Sequence, residues 1–173
     1  ARNSRQLPVR SRKVEGKKVS SKVFFVDTER CIACGACETA CAREHDGNTH
    51  IYVTTITDKY ALPLCCLHCD KSPCVEVCPT NALEKGAHSA VIFHKVRCIG
   101  CGLCILACPF GVVKLEGENT VLKCDRCITR LKQGKNPVCV LTCPTKALLY
   151  DKSDTITGTR RKRQALKAKH KKS

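Results

Sequence analysis

The sequence predicts an α+β fold in which small strands and short helices, arranged as a duplicated unit, gather around cysteines instead of an aromatic core. Three observations lead there. The chain has 173 residues, enough for one domain or two small ones. It holds 17 cysteines but no Trp, no Met, four Phe and three Tyr, thin material for an ordinary apolar interior. And it repeats itself: VFFVDTERCIACGACETAC (23 to 41) lies over AVIFHKVRCIGCGLCILAC (90 to 108) without a gap.

Each copy of that repeat is a short apolar strand, an Arg and a cysteine-rich loop that enters a helical turn. A second echo joins CPTNAL (78 to 83) to CPTKAL (143 to 148), where a Pro ends the preceding helical turn. Strands are expected near 22 to 28, 49 to 56, 90 to 95 and 119 to 123, with helices of one to three turns after each cysteine loop. Gly47, Asn48, Gly86, Gly117 and Gly134 punctuate the turns. TRRKRQALKAKHK (159 to 171) is rich in helix formers behind Thr159, a candidate N-cap, although its apolar face is only Ala165, Leu166 and Ala168.

A secreted disulfide framework is the first alternative for so many cysteines. The cysteine count is odd, and spacings of two and three residues put most sulfurs in a shared tight loop. The opening ARNSRQLPVRSRKVEGKK has no apolar h-region and no small-residue cleavage site, so no secretory signal is expected. Metal ligation in a reducing cytoplasm fits better. No apolar run approaches the roughly 20 residues that span a bilayer, so no membrane insertion is expected.

The cysteines fall into four sets. Cys31, Cys34, Cys37 and Cys41 are spaced C-x2-C-x2-C-x3-C, and Cys98, Cys101, Cys104 and Cys108 repeat that spacing before Pro109. Two intervening residues let three thiolates converge on one iron–sulfur cubane, while the fourth, a helical turn onward, points to a neighbouring cluster. Gly35 and Gly102 follow the second cysteine, where a missing side chain lets backbone N–H groups approach the cluster. Zinc would call for two pairs of ligands, not a three-plus-one run. Cys66, Cys69, Cys74 and Cys78 are spaced C-x2-C-x4-C-x3-C before Pro79, and Cys124, Cys127, Cys139 and Cys143 are spaced C-x2-C-x11-C-x3-C before Pro144. The last set alone could be a zinc ribbon.

The formal charge of +16 suggests a nucleic-acid binder until its distribution is read. Residues 1 to 22 carry eight Lys and Arg against one acid, and residues 159 to 173 carry eight against none, leaving fifteen basic and fourteen acidic residues in 23 to 158. Each four-thiolate cluster adds about two negative charges when oxidised, so the metallated body is acidic between basic arms. Neither arm contains the Phe, Tyr or Trp on which single-strand binders stack bases, and no nucleic-acid partner is expected.

With its four ordered sets, the stretch CLHCDKSPCVEVCPTNAL and a stretched middle spacing in the last set, the chain resembles four-cluster ferredoxin-like subunits of bacterial and archaeal redox complexes. These accompany formate dehydrogenases, formate hydrogenlyases, hydrogen-dependent carbon dioxide reductases, carbon monoxide dehydrogenase and molybdopterin reductases. The resemblance covers residues 23 to about 150, and is greatest to the short soluble members of the carbon monoxide dehydrogenase or formate dehydrogenase–hydrogenase type. Cys41 is followed by Ala42 where the other sets have Pro.

The resemblance implies four [4Fe–4S] clusters in two ferredoxin-like lobes. Cys31, Cys34 and Cys37 would take Cys143; Cys124, Cys127 and Cys139 would take Cys41; Cys66, Cys69 and Cys74 would take Cys108; Cys98, Cys101 and Cys104 would take Cys78. The implied organisation is a basic arm (1–22), a four-cluster domain (23–158) and a basic tail (159–173). Within the domain, an outer-motif lobe takes 23–48 with 119–150 and an inner-motif lobe takes 60–113. The implied function is an electron-transfer subunit between a dehydrogenase and a hydrogenase or other acceptor.

Nothing in the sequence resembles a nucleophile beside a base, a phosphate-cradling Gly-rich loop or a flavin site, so a conductor is expected and not a catalyst. Its rivals are a free polyferredoxin and a zinc-stabilised nucleic-acid module. With sixteen thiolates available no His is needed as a ligand, and His68 reads as a space-filling side chain with a backbone partner. Cys65 is left over and reads as a small buried hydrophobe. The arms are expected to dock an acidic partner or a second copy of the subunit. The thiol count sets an expected outcome: anaerobically reconstituted protein binds about 16 iron atoms, four per cubane, and Cys65→Ser leaves that content unchanged. Iron and acid-labile sulfide analysis of both proteins checks it.

Overall fold

The structure, a computed structural model, describes residues 22–57, 60–116 and 120–170. It is a mixed α+β arrangement of four two-stranded antiparallel sheets. The strands are β1 (Lys22–Val26), β2 (Ile51–Thr57), β3 (Tyr60–Cys65), β4 (Leu83–Lys85), β5 (Val91–Phe93), β6 (Lys114–Glu116), β7 (Thr120–Leu122) and β8 (Leu148–Lys152). The helices are α1 (Ala36–Glu44), α2 (Pro73–Glu76), α3 (Leu103–Leu106), α4 (Ile128–Lys132), α5 (Val138–Thr142) and α6 (Ser153–His170). None of them is long and apolar enough to cross a membrane.

β1, β2, β5 and β7 lie where strands are expected. Their partners β3, β4, β6 and β8 are additional. β3 contains Pro63, which cannot donate to a ladder, and is tolerated because a two-stranded sheet is all edge. β4 (LEK) and β6 (KLE) are too short and too charged to show a period of two; they form because β5 and β7 offer an antiparallel edge. β8 closes the chain on itself, with Phe24 opposite Tyr150 and Val26 opposite Leu148. The Asp27 N–H extends the ladder to the Ala147 carbonyl at 2.7 Å. This long-range pairing brings the first cysteine set beside the last.

The apolar interior is two separate clusters, each threaded with cysteines. One gathers Ile51 and Leu148 with Cys37, Cys41 and Cys65; the other gathers Leu83, Val91, Val113 and Val121 with Cys104. The echo of CPTNAL and CPTKAL is structural as well. Ala82 and Leu83 are 2% and 1% exposed, and Ala147 and Leu148 are 1% and 1% exposed, so both motifs bury the same pair and place its Leu in the respective cluster. After the intervening cysteine-proline step, Val112 and Val113 are buried likewise, with Val113 in the inner cluster.

The basic tail is helical, but its helix starts at Ser153 and not at Thr159. Thr159 is interior and its hydroxyl donates back to the Thr155 carbonyl at 2.9 Å. Chain leaving β8 turns directly into the helix, with Asp154 in its first turn favouring the N-terminal end of the dipole. Gly158, a costly residue in a helix by about 1 kcal/mol, is carried through. The tail cations also fold back onto the body. Arg163 pairs with Asp27 and, at 3.3 Å, with Glu29; Lys167 meets Glu29 at 2.8 Å; and the Arg160 guanidinium lies 4.9 Å from the Phe25 ring. Lys167, by its hydrogen bond and charge, holds the Glu29 carboxyl below the usual range. Asp27 is buried, so Arg163→Ala leaves an uncompensated carboxylate and is expected to cost about 1–3 kcal/mol. Lys167→Ala breaks only an exposed, solvent-screened pair and is expected to cost much less. Amide hydrogen exchange across β1 and α6 reads the difference.

Candidate metal centres

The four Cys-x2-Cys loops share one backbone device. The residue before the second cysteine is left-handed in every case: Ala33 (φ 54°), His68 (φ 53°), Gly100 (φ 69°) and Arg126 (φ 63°). Such a turn lines up successive backbone N–H groups on one side and builds an anion-binding concavity. The Arg126 N–H, 3.3 Å from Cys124 Sγ, shows the result. Gly35 (φ 68°) and Gly102 (φ 73°) then turn the chain into α1 and α3, a conformation that a Cβ would penalise.

Each set ends in a Cys-x3-Cys pair at a helix: α1 carries both Cys37 and Cys41, while α2, α3 and α5 carry Cys74, Cys104 and Cys139 with Cys78, Cys108 and Cys143 just past their C-terminal ends. Cys78 and Cys143 are capped alike. The N–H groups of Ala82 and Ala147 each donate to the sulfur four residues back at 3.2 Å, and the Thr80 and Thr145 hydroxyls lie 3.8 and 3.7 Å away. Burial pushes these two thiols up, but backbone hydrogen bonds led by Leu83 and Leu148 outweigh it and hold them below the ordinary thiol value.

Three small cavities, each of about 20 Å³, are lined by at least four cysteines apiece. One takes Cys31, Cys34, Cys37 and the distant Cys143, closed by Val53, Pro63 and Leu148. A second takes Cys78 with Cys98, Cys101 and Cys104, closed by Leu83, Phe93 and Val121. The third takes Cys41, Cys124, Cys127 and Cys139, and reaches Cys65 and Cys66. Cys69, Cys74 and Cys108 line none of the three. Cys74 packs with Cys108 on the inner apolar cluster, and burial raises its thiol, with Cys66 and Cys108 adding to the effect. Cys34 and Cys101 are exposed, flanked by the exposed Ile32 and Ile99. All seventeen cysteines are free thiols.

Burial pushes the Cys37 and Cys127 thiols to about 11 and Cys65 to about 12. Such thiols ionise only when a nearby positive charge compensates them; Cys37 and Cys127 sit among the other cysteines of their cavities, while Cys65 belongs to none of the four sets. The surroundings of the third cavity fit an anionic iron–sulfur cluster. His50 Nδ1 and Nε2, His68 Nε2 and Arg126 Nε are buried there without hydrogen-bond partners. Buried Lys123 and Arg126 donate to carbonyls of Val91 and Cys124, and of His88 and Leu67, and neither is ion-paired among the described residues. Two buried cations without acids call for a buried anion.

His68 is buried and accepts from the Val91 N–H at Nδ1, 2.8 Å, so the backbone partner is there, yet its ring also lines the cavity. Burial, with Lys123, Arg126 and Lys85 nearby, pulls its pKa far down. Cys65 is buried as a hydrophobe would be, opposite Ile51 in the β2–β3 pair. Sequence reasoning passed over His45, His50, Lys123 and Arg126. The imidazole donor atoms of His45 and His50 lie within 4.8 Å of Cys41 Sγ and of each other, and those of His45, Asp125 and Cys127 are equally close. The one available signal was Arg126 itself, a long cationic residue where the other loops hold Ala, His and Gly.

Residues 57–153 match the 4Fe-4S dicluster domain, and residues 22–43 match a 4Fe-4S binding domain. The chain is 34% identical over 146 residues to a probable anaerobic dimethyl sulfoxide reductase chain of Escherichia coli (strain K12), covering 73% of this chain and 71% of the relative. It is 38% identical over 146 residues to a thiosulfate reductase electron transfer subunit of Salmonella typhi, with 76% of both covered. It is 33% identical over 165 residues to a formate dehydrogenase iron-sulfur subunit of Wolinella succinogenes, covering 78% and 82%. The chain therefore belongs to the 4Fe-4S dicluster family of iron–sulfur electron-transfer subunits, which carry electrons for oxidoreductase complexes and are not themselves catalytic.

Proposed function

We propose that this chain relays electrons through four [4Fe–4S] clusters between a dehydrogenase subunit, of formate or carbon monoxide type, and a hydrogenase or other acceptor. The ligand sets of this reading are Cys31, Cys34, Cys37 with Cys143; Cys124, Cys127, Cys139 with Cys41; Cys66, Cys69, Cys74 with Cys108; and Cys98, Cys101, Cys104 with Cys78. The first two make an outer ferredoxin-like lobe and the last two an inner one. The observation that supports it most is the presence of Cys143 in the cavity of Cys31, Cys34 and Cys37, more than a hundred residues away in sequence.

When bound, each cubane supplies a centre that takes up and releases a single electron. The protein's part is to hold the thiolates and to cover the inner side of these sites with Val53, Pro63, Leu83, Phe93 and Leu148, while Cys34 and Cys101 stay exposed. The paired cysteines on α1 and α5, and on α2 and α3, tie neighbouring sites one helical turn apart. Exposed Cys34 with Ile32, and Cys101 with Ile99, provide the apolar contact points at which redox partners dock in this reading. The exposed cations Arg161 and Lys162 of α6, together with the basic arm 1–22, attract an acidic partner or a second copy. Seventeen thiols that must stay reduced for assembly favour the cytoplasm.

Single Cys→Ser variants read by iron content and by the EPR of the reduced protein test the pairing. Cys143→Ser is expected to lose about 4 of about 16 irons and the same signal that Cys34→Ser loses, while the signal lost in Cys127→Ser survives. If Cys143→Ser shared its lost signal with Cys127→Ser, the nested pairing would be wrong.

A further inference from the structure

The orphaned polar atoms are unevenly placed. Apart from Arg163 Nε on α6, those found among the described residues belong to His50, His68 and Arg126, which all line the cavity of Cys41, Cys124, Cys127 and Cys139. The cavities of Cys31, Cys34, Cys37 and Cys143, and of Cys78, Cys98, Cys101 and Cys104, are lined by no His, Lys or Arg. The three sites therefore have similar ligands and different electrostatics.

Two of these side chains are locked with a donor to spare. His68 Nδ1 accepts from the Val91 N–H at 2.8 Å, which puts the ring proton on Nε2 and makes that atom a donor. Arg126 spends its terminal nitrogens on the His88 carbonyl at 2.8 Å and the Leu67 carbonyl at 3.0 Å, leaving Nε unpartnered. Its backbone N–H already reaches Cys124 Sγ. The guanidinium is 6% exposed by residue and has no carboxylate partner among the described residues. An added electron is an added negative charge, so a fixed cation and an N–H donor at the site favour the reduced form and raise its potential. Burial alone acts the other way, but in the same low dielectric the guanidinium charge is least screened. At the sites of Cys34 and Cys101, water reaches the ligands and no fixed charge lines the cavity.

We propose that Arg126 is a tuning residue that raises the reduction potential at the Cys41, Cys124, Cys127 and Cys139 site above that of the other two cavities, so that among these three sites an electron in the relay rests there. This rests on the ligand sets proposed above. It gives the relay a preferred interior resting point instead of a level row.

The test is EPR-monitored redox titration of the anaerobically reconstituted full chain, with iron analysis of every variant. Cys127→Ser is expected to remove the signal of highest potential, which assigns it to this site. Arg126→Met is expected to keep its iron and shift that signal to lower potential by about tenfold in the reduced-to-oxidised ratio, or about 59 mV for a one-electron couple. Arg126→Lys, which keeps the charge, should recover most of the shift, whereas a role confined to packing predicts no such rescue. If Arg126→Met fails to load, Arg126→Gln keeps hydrogen-bonding capacity without the charge and should show the same shift. Unchanged potentials in a fully loaded neutral variant, or loss of a lower-potential signal in Cys127→Ser, overturn the inference. A wild-type iron content well below about 16 overturns the ligand sets, and this inference with them.

Discussion

A Cys-x3-Cys pair on a helix presents two thiols on one face, about 6 Å apart along the axis at 1.5 Å per residue. That is one helical turn, suited to reaching into two neighbouring sites. Each of the four sets ends in this spacing, with both cysteines inside the helix on α1 and the second cysteine just past the helix end in the other three. On α1 this geometry puts Cys37 in one cavity and Cys41 in the next; along α5 it puts Cys143 and Cys139 in the same two. Two helices from opposite ends of the chain thus bridge the same two cavities, and β1 must pair with β8 for them to meet.

Apolar packing is subordinate to this arrangement. The largest fully buried side chains are only Ile51, Leu83, Leu148 and Val91, and both clusters are completed by cysteines. Small cores of this size stabilise little alone, and metal ligation is the remaining source of folding free energy. The αL residues Ala33, His68 and Arg126 add a local cost of roughly 1–2 kcal/mol each, which backbone donation toward anionic sulfur offsets.

Charge organises what packing does not. Lys123 and Arg126 reach from the fourth cysteine set to carbonyls of Val91, His88 and Leu67, in the inner half of the chain. They stitch the two halves together, and Arg126 places a buried cation in the lining of the cavity of Cys41, Cys124, Cys127 and Cys139. At the other end, α6 uses Arg163 to neutralise the buried Asp27 and Lys167 to neutralise the exposed Glu29, just before the first cysteine set. A tail that looked wholly available for partners is therefore partly spent within the chain.

Ligand spacing is local, so the sequence by itself determined the four sets, the α+β class, the repeat and four of the eight strands. Gly35 and Gly102 were legible as turns for the same reason. The return strands β3, β4, β6 and β8 were not, because three charged residues or a Pro-containing segment become strands only when a distant edge accepts their hydrogen bonds. The start of α6 at Ser153 depended likewise on where β8 ends. The ring of His45, His50, His68 and Arg126 was least legible. Their positions in sequence span more than eighty residues, and only the pairing of β1 with β8 and the crossing of Arg126 to Leu67 and His88 bring them to one cavity. Tertiary structure alone decided which cysteine site has a buried cation in its lining and which sites are instead open to water, because electrostatic environment is a sum over neighbours in space and not along the chain.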